Sequence, residues 1–161
     1  MRQTDVAPET TSHGGVWMLV FVVAGRQFAV GLPGVQQILG YRPPTKTPRP
    51  PPHVQGIIRH QARFVPLVSL RSRLGVQGGG PNHPAILLLR GIGREPILGV
   101  IVDEVCRVMS LPYEKVLAPP PRVFGIRAEF LRGVANVGGR PLVWLDEAKL
   151  LTSEEPITLL T

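Results

Sequence analysis

At 161 residues, with 43% hydrophobic and 18% charged side chains, the chain has the composition of a folded, core-forming protein, which excludes a disordered one. Its longest apolar runs, Val16 to Ala24 and Ile97 to Val102, fall far short of the roughly 20 residues that cross a bilayer, and its single cysteine, Cys106, excludes an internal disulfide. The net charge of +7 is uneven: between Thr10 and Arg94 there are ten Lys and Arg and no Asp or Glu, whereas Glu95 to Thr161 holds nine acidic and seven basic residues. Such a first half favours an acidic protein surface or nucleic acid. No secretory signal pattern stands at the N-terminus, so the expected compartment is the cytoplasm.

Residues 1–15 are small, polar and aperiodic and read as a disordered leader. Val16 to Ala24 and Gln27 to Leu32 are β-branched and aromatic runs around Gly25-Arg26, which predicts a hairpin. Val35 and Ile38 fit either a short strand or a single helical turn. Tyr41 to His53 holds six prolines and predicts an extended arm over the surface. Gly56 to Ile58 and Phe64 to Leu70 form a second strand pair with Gln61-Ala62 at its tip. A short helical turn over Arg71 to Leu74 ends at Gly75. Gln77 to Asn82 is glycine-rich and predicts a linker. Pro84 to Leu89 and Pro96 to Val102 repeat the strand pair, with Gly91 and Gly93 in the turn. Pro119 to Pro121 matches the first proline arm. Phe130 to Asn136 and Arg140 to Leu145 flank a Gly138-Gly139 hairpin, and Asp146 is placed to cap a helix running to about Leu151.

Two stretches recur. Val30, Leu32, Val35, Ile38 and Leu39 reappear seventy positions later as Val100, Val102, Val105, Val108 and Met109. Gly56-Ile57, Arg63, Val65 and Val68 reappear seventy-seven positions later as Gly133-Val134, Arg140, Leu142 and Leu145. A duplicated unit of many short strands predicts an all-β protein of two small barrels side by side. The expected boundaries are a first barrel over 16–76, a linker over 77–83 and a second barrel over 84–161. Units this small build surfaces and a shared groove more readily than a roomy catalytic core.

The residues carry no catalytic constellation. The four histidines are scattered without metal-ligand spacing. Cys106 lies in the Val105/Val108 run and reads as a small buried core residue. Gly78-Gly79-Gly80 lacks the lysine of a phosphate loop. The adjacent acidic pairs, Asp103-Glu104 among them, are poorly placed to share a proton, so capping or solubility explains them. No enzyme, metal, cofactor or small-molecule substrate is expected. Nucleic-acid binding is the rival suggested by the charge, but Phe21, Phe28 and Phe64 fall in strand runs where core packing is expected, leaving few aromatics for stacking.

The run Gly56-Ile57-Ile58 through Phe64-Val65-Pro66-Leu67-Val68-Ser69-Leu70-Arg71-Ser72-Arg73-Leu74-Gly75 resembles the signature segment of CheW-like domains, the adaptors of bacterial chemosensory arrays. Leu98 to Val105, Leu111-Pro112, Leu131-Arg132-Gly133-Val134, Val35-Gln36-Gln37-Ile38 and the tail Leu150 to Glu155 follow in family order, so the likeness covers about Val16 to Leu160. It implies two five-stranded SH3-like barrels with a short C-terminal helix and no catalysis. It also implies two partners in a two-component chemotaxis pathway: the regulatory domain of a CheA-like histidine kinase, and the cytoplasmic tip of a chemoreceptor held between the barrels. Membrane association would then be indirect, through the receptors.

By matching positions, Val35, Gln36, Gln37 and Ile38 are implied groove contacts, Gly56 and Gly99 sites of close backbone approach, and Arg59, Gln61 and Ala62 the partner-facing turn. That turn departs from the family, whose Asn-Leu-Arg-Gly becomes Arg59-His60-Gln61-Ala62 and whose following aspartate becomes Ser69. The departures suit a divergent chemosensory system; the alternative is a basic module for nucleic acid or a scaffold outside chemotaxis.

Overall fold

The computed structural model describes residues 11–12, 14–50, 52–90 and 96–151. The strands are β1 (Thr11–Ser12), β2 (Gly15–Val23), β3 (Arg26–Gly31), β4 (Val35–Gly40), β5 (Val54–His60), β6 (Arg63–Ser69), β7 (Ala85–Arg90), β8 (Pro96–Val102), β9 (Glu104–Pro112), β10 (Arg122–Val123), β11 (Ile126–Arg127), β12 (Leu131–Val137) and β13 (Arg140–Leu145). Two short helices follow β6 and β13: α1 (Leu70–Leu74) and α2 (Glu147–Leu151). The protein is all-β, built from two five-stranded SH3-like barrels as expected.

The strand order is β9-β2-β3-β13-β12 in one sheet, with β1 folded back on the start of β2, and β4-β7-β8-β6-β5 in the other. We call these the terminal barrel and the central barrel. The pairing overturns the boundaries expected at 16–76 and 84–161. Each barrel combines the first hairpin of one sequence copy with the last three strands of the other: β2 and β3 with β9, β12 and β13, and β7 and β8 with β4, β5 and β6. The closing contacts are parallel, β3 on β13 and β8 on β6. A hydrophobic repeat has the same pattern whether its copies fold separately or exchange hairpins, so the repeat alone could not reveal the exchange. The glycine-rich stretch 77–83 accordingly joins α1 to β7 within the central barrel. Thr11 and Ser12, within the expected leader, pair with β2 as β1, and residues 1–10 lie outside the described residues, as do Gly91, Gly93 and the tail beyond 151.

The repeat survives in detail. Bulges fall at equivalent places, between Val54 and Gly56 and between Leu131 and Gly133. In each copy the preceding arm is pinned by one isolated bridge, Thr45 to Ile57 and Leu117 to Val134. Alternation along the strands sorts the core. Met18, Val20, Ala29 and Leu142 fill a private core of the terminal barrel, and Ile58, Val65, Leu67, Ile86 and Leu88 that of the central barrel. The opposite set joins both barrels in one larger cluster, including Leu19, Phe21, Phe28, Leu87, Leu89, Val100 and Val143. Because the copies exchange hairpins and share this layer, the two barrels form one folding unit rather than two domains.

Turn chemistry follows the expected lines with local shifts. The first hairpin turns at Ala24-Gly25, one residue earlier than read, because Val23 pairs with Arg26. Ser69 caps α1 by accepting the Ser72 N–H at 3.3 Å, and Gly75 ends it in the left-handed region at φ 72°. Asp146 Oδ1 accepts the N–H groups of Ala148 and Lys149 at the start of α2.

Candidate partner-binding site

β4 and β5 are the outer strands of the central barrel, and side chains rather than a backbone ladder draw them together. The Gln37 Oε1 and His60 Nε2 atoms lie 3.1 Å apart, and Arg42 Nη2 donates to the Arg59 carbonyl at 2.6 Å. This seam brings the predicted residues of β4 beside the predicted turn of the β5–β6 hairpin. Val35 to Gly40 is a strand, not a helical turn, and a bulge between Val35 and Gln37 places Gln36, Gln37 and Ile38 on the exposed side. Ile38 is 44% exposed, high for an isoleucine, whereas Val35 is half-buried and packs on the shared core.

At the hairpin tip Gln61 and Ala62 both adopt positive φ, 50° and 66°, between the paired residues His60 and Arg63. A two-residue loop of this twist is the geometry that glycine serves most easily, so the family's turn glycine has a structural reason that Ala62 must meet under strain. Arg59, Gln61 and Ala62 are all exposed.

Gly56 and Gly99 do not join this group, and the space beside each is filled by the chain itself. At Gly56 (φ 151°) a Cβ would collide with the Thr45 carbonyl oxygen and reach within 3.0 Å of Pro44 Cβ. At Gly99, on β8, it would fall 2.7 Å from Leu67 Cδ1 and 3.2 Å from Ile86 Cγ2. The expectation of close partner approach at these two glycines is corrected: one seats the proline arm on β5, the other lets β6, β7 and β8 pack.

Phe64 is a further correction. Expected in the core, it is 67% exposed, and its cross-strand partner is Arg59. The outward turn follows from register: Val65 and Leu67 take the inward positions, so Phe64 faces solvent. Phe21 and Phe28 are buried as expected, and their rings stack on each other. Cys106 is exposed on β9, not buried. Partial desolvation of the thiol, with Glu104 nearby, pushes its pKa up and works against thiolate formation.

Two carboxylates hold the crossings between barrels. Asp103, on the crossing from β8 to β9, is buried, and its Oδ2 accepts the Ala24 N–H at 2.8 Å and Arg71 Nη2 at 2.7 Å. Arg71 Nη1 also donates to the Gly78 carbonyl at 2.8 Å. One residue thus ties the β2–β3 turn of the terminal barrel to α1 and the glycine-rich stretch of the central one. The reading of Asp103 as a capping or solubility residue missed this. At the other crossing, Glu147 Oε2 accepts the Gly31 N–H at 3.0 Å, while Oε1 is buried without a hydrogen bond and lies 3.6 Å from Arg132 Nε. Burial pushes the Glu147 pKa up, offset in part by hydrogen bonding and by Arg132.

With this geometry in hand, comparison with known proteins is decisive. The CheW-like domain family matches residues 18–155. The chain belongs to the CheW-like domain family. It is similar to the chemotaxis protein CheW of Klebsiella aerogenes, with 28% identity over 141 residues covering 88% of this chain and 84% of that one. It is similar also to the chemotaxis protein CheW of Rhizobium meliloti, with 26% identity over 152 residues, 94% of this chain and 97% of that one. The crystal structure of the scaffolding protein TtCheW from Thermoanaerobacter tengcongensis shares the fold, with a TM-score of 0.80, 22% identity, and coverage of 98% of this chain and 100% of that chain. The CheW-like assignment makes this a chemotaxis adaptor or scaffold. Among the described residues no helix is long and apolar enough to cross a membrane.

Proposed function

We propose that this CheW-like chain is a non-catalytic adaptor that couples chemoreceptors to a CheA-like histidine kinase, in a chemosensory system diverged from the family pattern. One barrel docks on the kinase regulatory domain, and the receptor tip packs against the exposed side of β4. The observation that carries the reading is the family match across 18–155 together with an apolar, solvent-facing Ile38 on an outer strand. An isoleucine left in water on a strand bonded on one side only is a ready anchor for an amphipathic helix.

The non-catalytic reading is supported by membership in a family of adaptors and scaffolds. A cleft of ≈ 620 Å³ beside the proline arm is lined by residues such as Tyr41, Pro44, Lys46 and Val54, and another of ≈ 360 Å³ contains Arg71 already paired with Asp103. Divergence is supported by the β5–β6 tip, where Gln61 and Ala62 stand in place of the family's arginine and glycine.

The chain would sit in the cytoplasm and reach the membrane only through receptors. Co-expression with the kinase regulatory domain and a receptor cytoplasmic fragment of the same genome, followed by affinity purification through the adaptor, tests the proposal. Recovery of all three together supports it. Recovery of neither partner, with retention of duplex DNA instead, overturns it.

A further inference from the structure

The central barrel is electrostatically one-sided. From Val35 through Arg90 the sequence carries eight Lys and Arg and no Asp or Glu. Arg71 is held in an ion pair with Asp103 at the barrel joint. On the outer face of β5 and β6 two of these cations meet the most exposed large apolar side chain of the described residues. Phe64 pairs across the strands with Arg59, and the guanidinium of Arg42 sits on the Arg59 carbonyl at 2.6 Å. Ile57 and Pro66, the next cross-strand pair on the same face, extend the patch half-buried.

We infer that Phe64, Arg42 and Arg59 form a docking platform for an acidic protein segment, one that presents carboxylates around an apolar anchor. This rests on the adaptor reading and specifies the chemistry of the partner it takes there. An exposed aromatic ring flanked by two cations that pair with no carboxylate among the described residues is complementary to that pattern: the ring gains by burial, and each planar guanidinium can take a carboxylate in a two-point fork. Strand addition at the β5 edge is a poor alternative. Ile57 already exchanges both backbone hydrogen bonds with Thr45, at 2.8 and 2.9 Å, and Arg42 occupies the Arg59 carbonyl. The partner must therefore dock through side chains. Nucleic acid fits less well, because base stacking along a strand calls for a succession of aromatics and the patch offers Phe64 alone. The platform also explains how a chain without the family's tip arginine keeps positive charge near the β5–β6 hairpin: Arg42 supplies it from the arm.

The test uses the full chain and a fluorescein-labelled amphipathic helical peptide of alternating Leu and Glu faces, read by anisotropy, with a Gln-for-Glu version, a 20-base-pair duplex and phosphatidylglycerol vesicles as comparators. The Glu peptide is expected to bind, and Arg42→Glu with Arg59→Glu to weaken it at least tenfold. Phe64→Ser should weaken it severalfold, with circular dichroism confirming that each variant is folded. Equal binding of the Gln peptide, unchanged binding in folded variants, or preference for the duplex or vesicles overturns the platform. The kinase regulatory domain and receptor fragment are titrated in parallel. If they bind the wild type and both charge-reversal and Phe64 variants equally, the platform fails and the adaptor reading stands. If the Glu peptide depends on the three residues while neither of those proteins binds, the platform stands and the adaptor reading fails.

Discussion

In Gly56→Ala the added Cβ meets the Thr45 carbonyl group, its carbon at 2.9 Å, and Pro44 Cβ at 3.0 Å, while the backbone is held at φ 151°. Neither the Thr45 backbone carbonyl nor the rigid Pro44 ring can rotate aside, so the proline arm must lift. Lifting it breaks the two hydrogen bonds between Thr45 and Ile57, at 2.8 and 2.9 Å, each contributing about 0.5–1.5 kcal/mol. Positive φ at a non-glycine residue costs about 1–3 kcal/mol more. Against this, alanine lowers the entropy of the unfolded chain, which offsets about 0.4–1 kcal/mol. The net expectation is a loss of about 1–5.5 kcal/mol, centred on about 3 kcal/mol. Gly133→Ala is the internal comparison: its Cβ would meet Val116 Cγ1 at 2.5 Å and the Leu117 carbonyl oxygen at 3.0 Å, without a positive φ. A side chain that can shift relieves part of that overlap, so its loss should be smaller, about 1–2 kcal/mol. Urea unfolding followed by tryptophan fluorescence measures both, with an unchanged slope against denaturant confirming comparable native states. A Gly56→Ala protein within 0.5 kcal/mol of wild type (order of magnitude) would refute the argument that the arm fills the space at Gly56.

Three further outcomes follow from the site. Ala62→Gly should stabilise the protein by about 0.5–1 kcal/mol, because relief of the left-handed backbone, about 1–2 kcal/mol, exceeds the added entropy of glycine in the unfolded chain; a lower melting temperature would contradict this. For Glu147 the folded pKa is raised above its unfolded value, so the folded state holds the proton more tightly and stability falls as pH rises from the unfolded toward the folded pKa. Glu147→Gln keeps an acceptor for Gly31 and should flatten that dependence, with equal or higher stability at neutral pH and no such gain in acid; melting curves across the acidic range check it. Ile38→Asp should abolish receptor binding and leave the melting temperature nearly unchanged, while Val35→Asp should unfold or strongly destabilise the protein because Val35 packs on the shared core.

What the residues made legible was what local chemistry decides. Alternating apolar runs and turn glycines predicted the strands, Gly75 and Asp146 the ends of the short helices, and the repeat the equivalence of β3 and β4 with β8 and β9. The exchange of hairpins was not legible, because Val30 and Val100 look alike whichever barrel receives them. Phe64 was misread for a related reason: aromatic character favours a strand core, but the face it takes depends on register with Arg59. Of the site, β4 and the β5–β6 tip were placed by family resemblance and come together in space through Gln37 and His60. Gly56 and Gly99 separated from them because a glycine in sequence does not reveal who approaches it. Asp103 was hidden for the same reason, its partners Ala24 and Arg71 lying far along the chain.

The adaptor reading turns on whether this protein makes kinase output depend on receptor. Autophosphorylation of the CheA-like kinase is to be measured with receptor fragment alone, with adaptor alone and with both, alongside the folded Ile38→Asp variant. The prediction is that receptor changes the rate only when the wild-type adaptor is present, and that Ile38→Asp removes the change. A kinase that responds to receptor equally well without the adaptor, or with none of the mixtures, would contradict it.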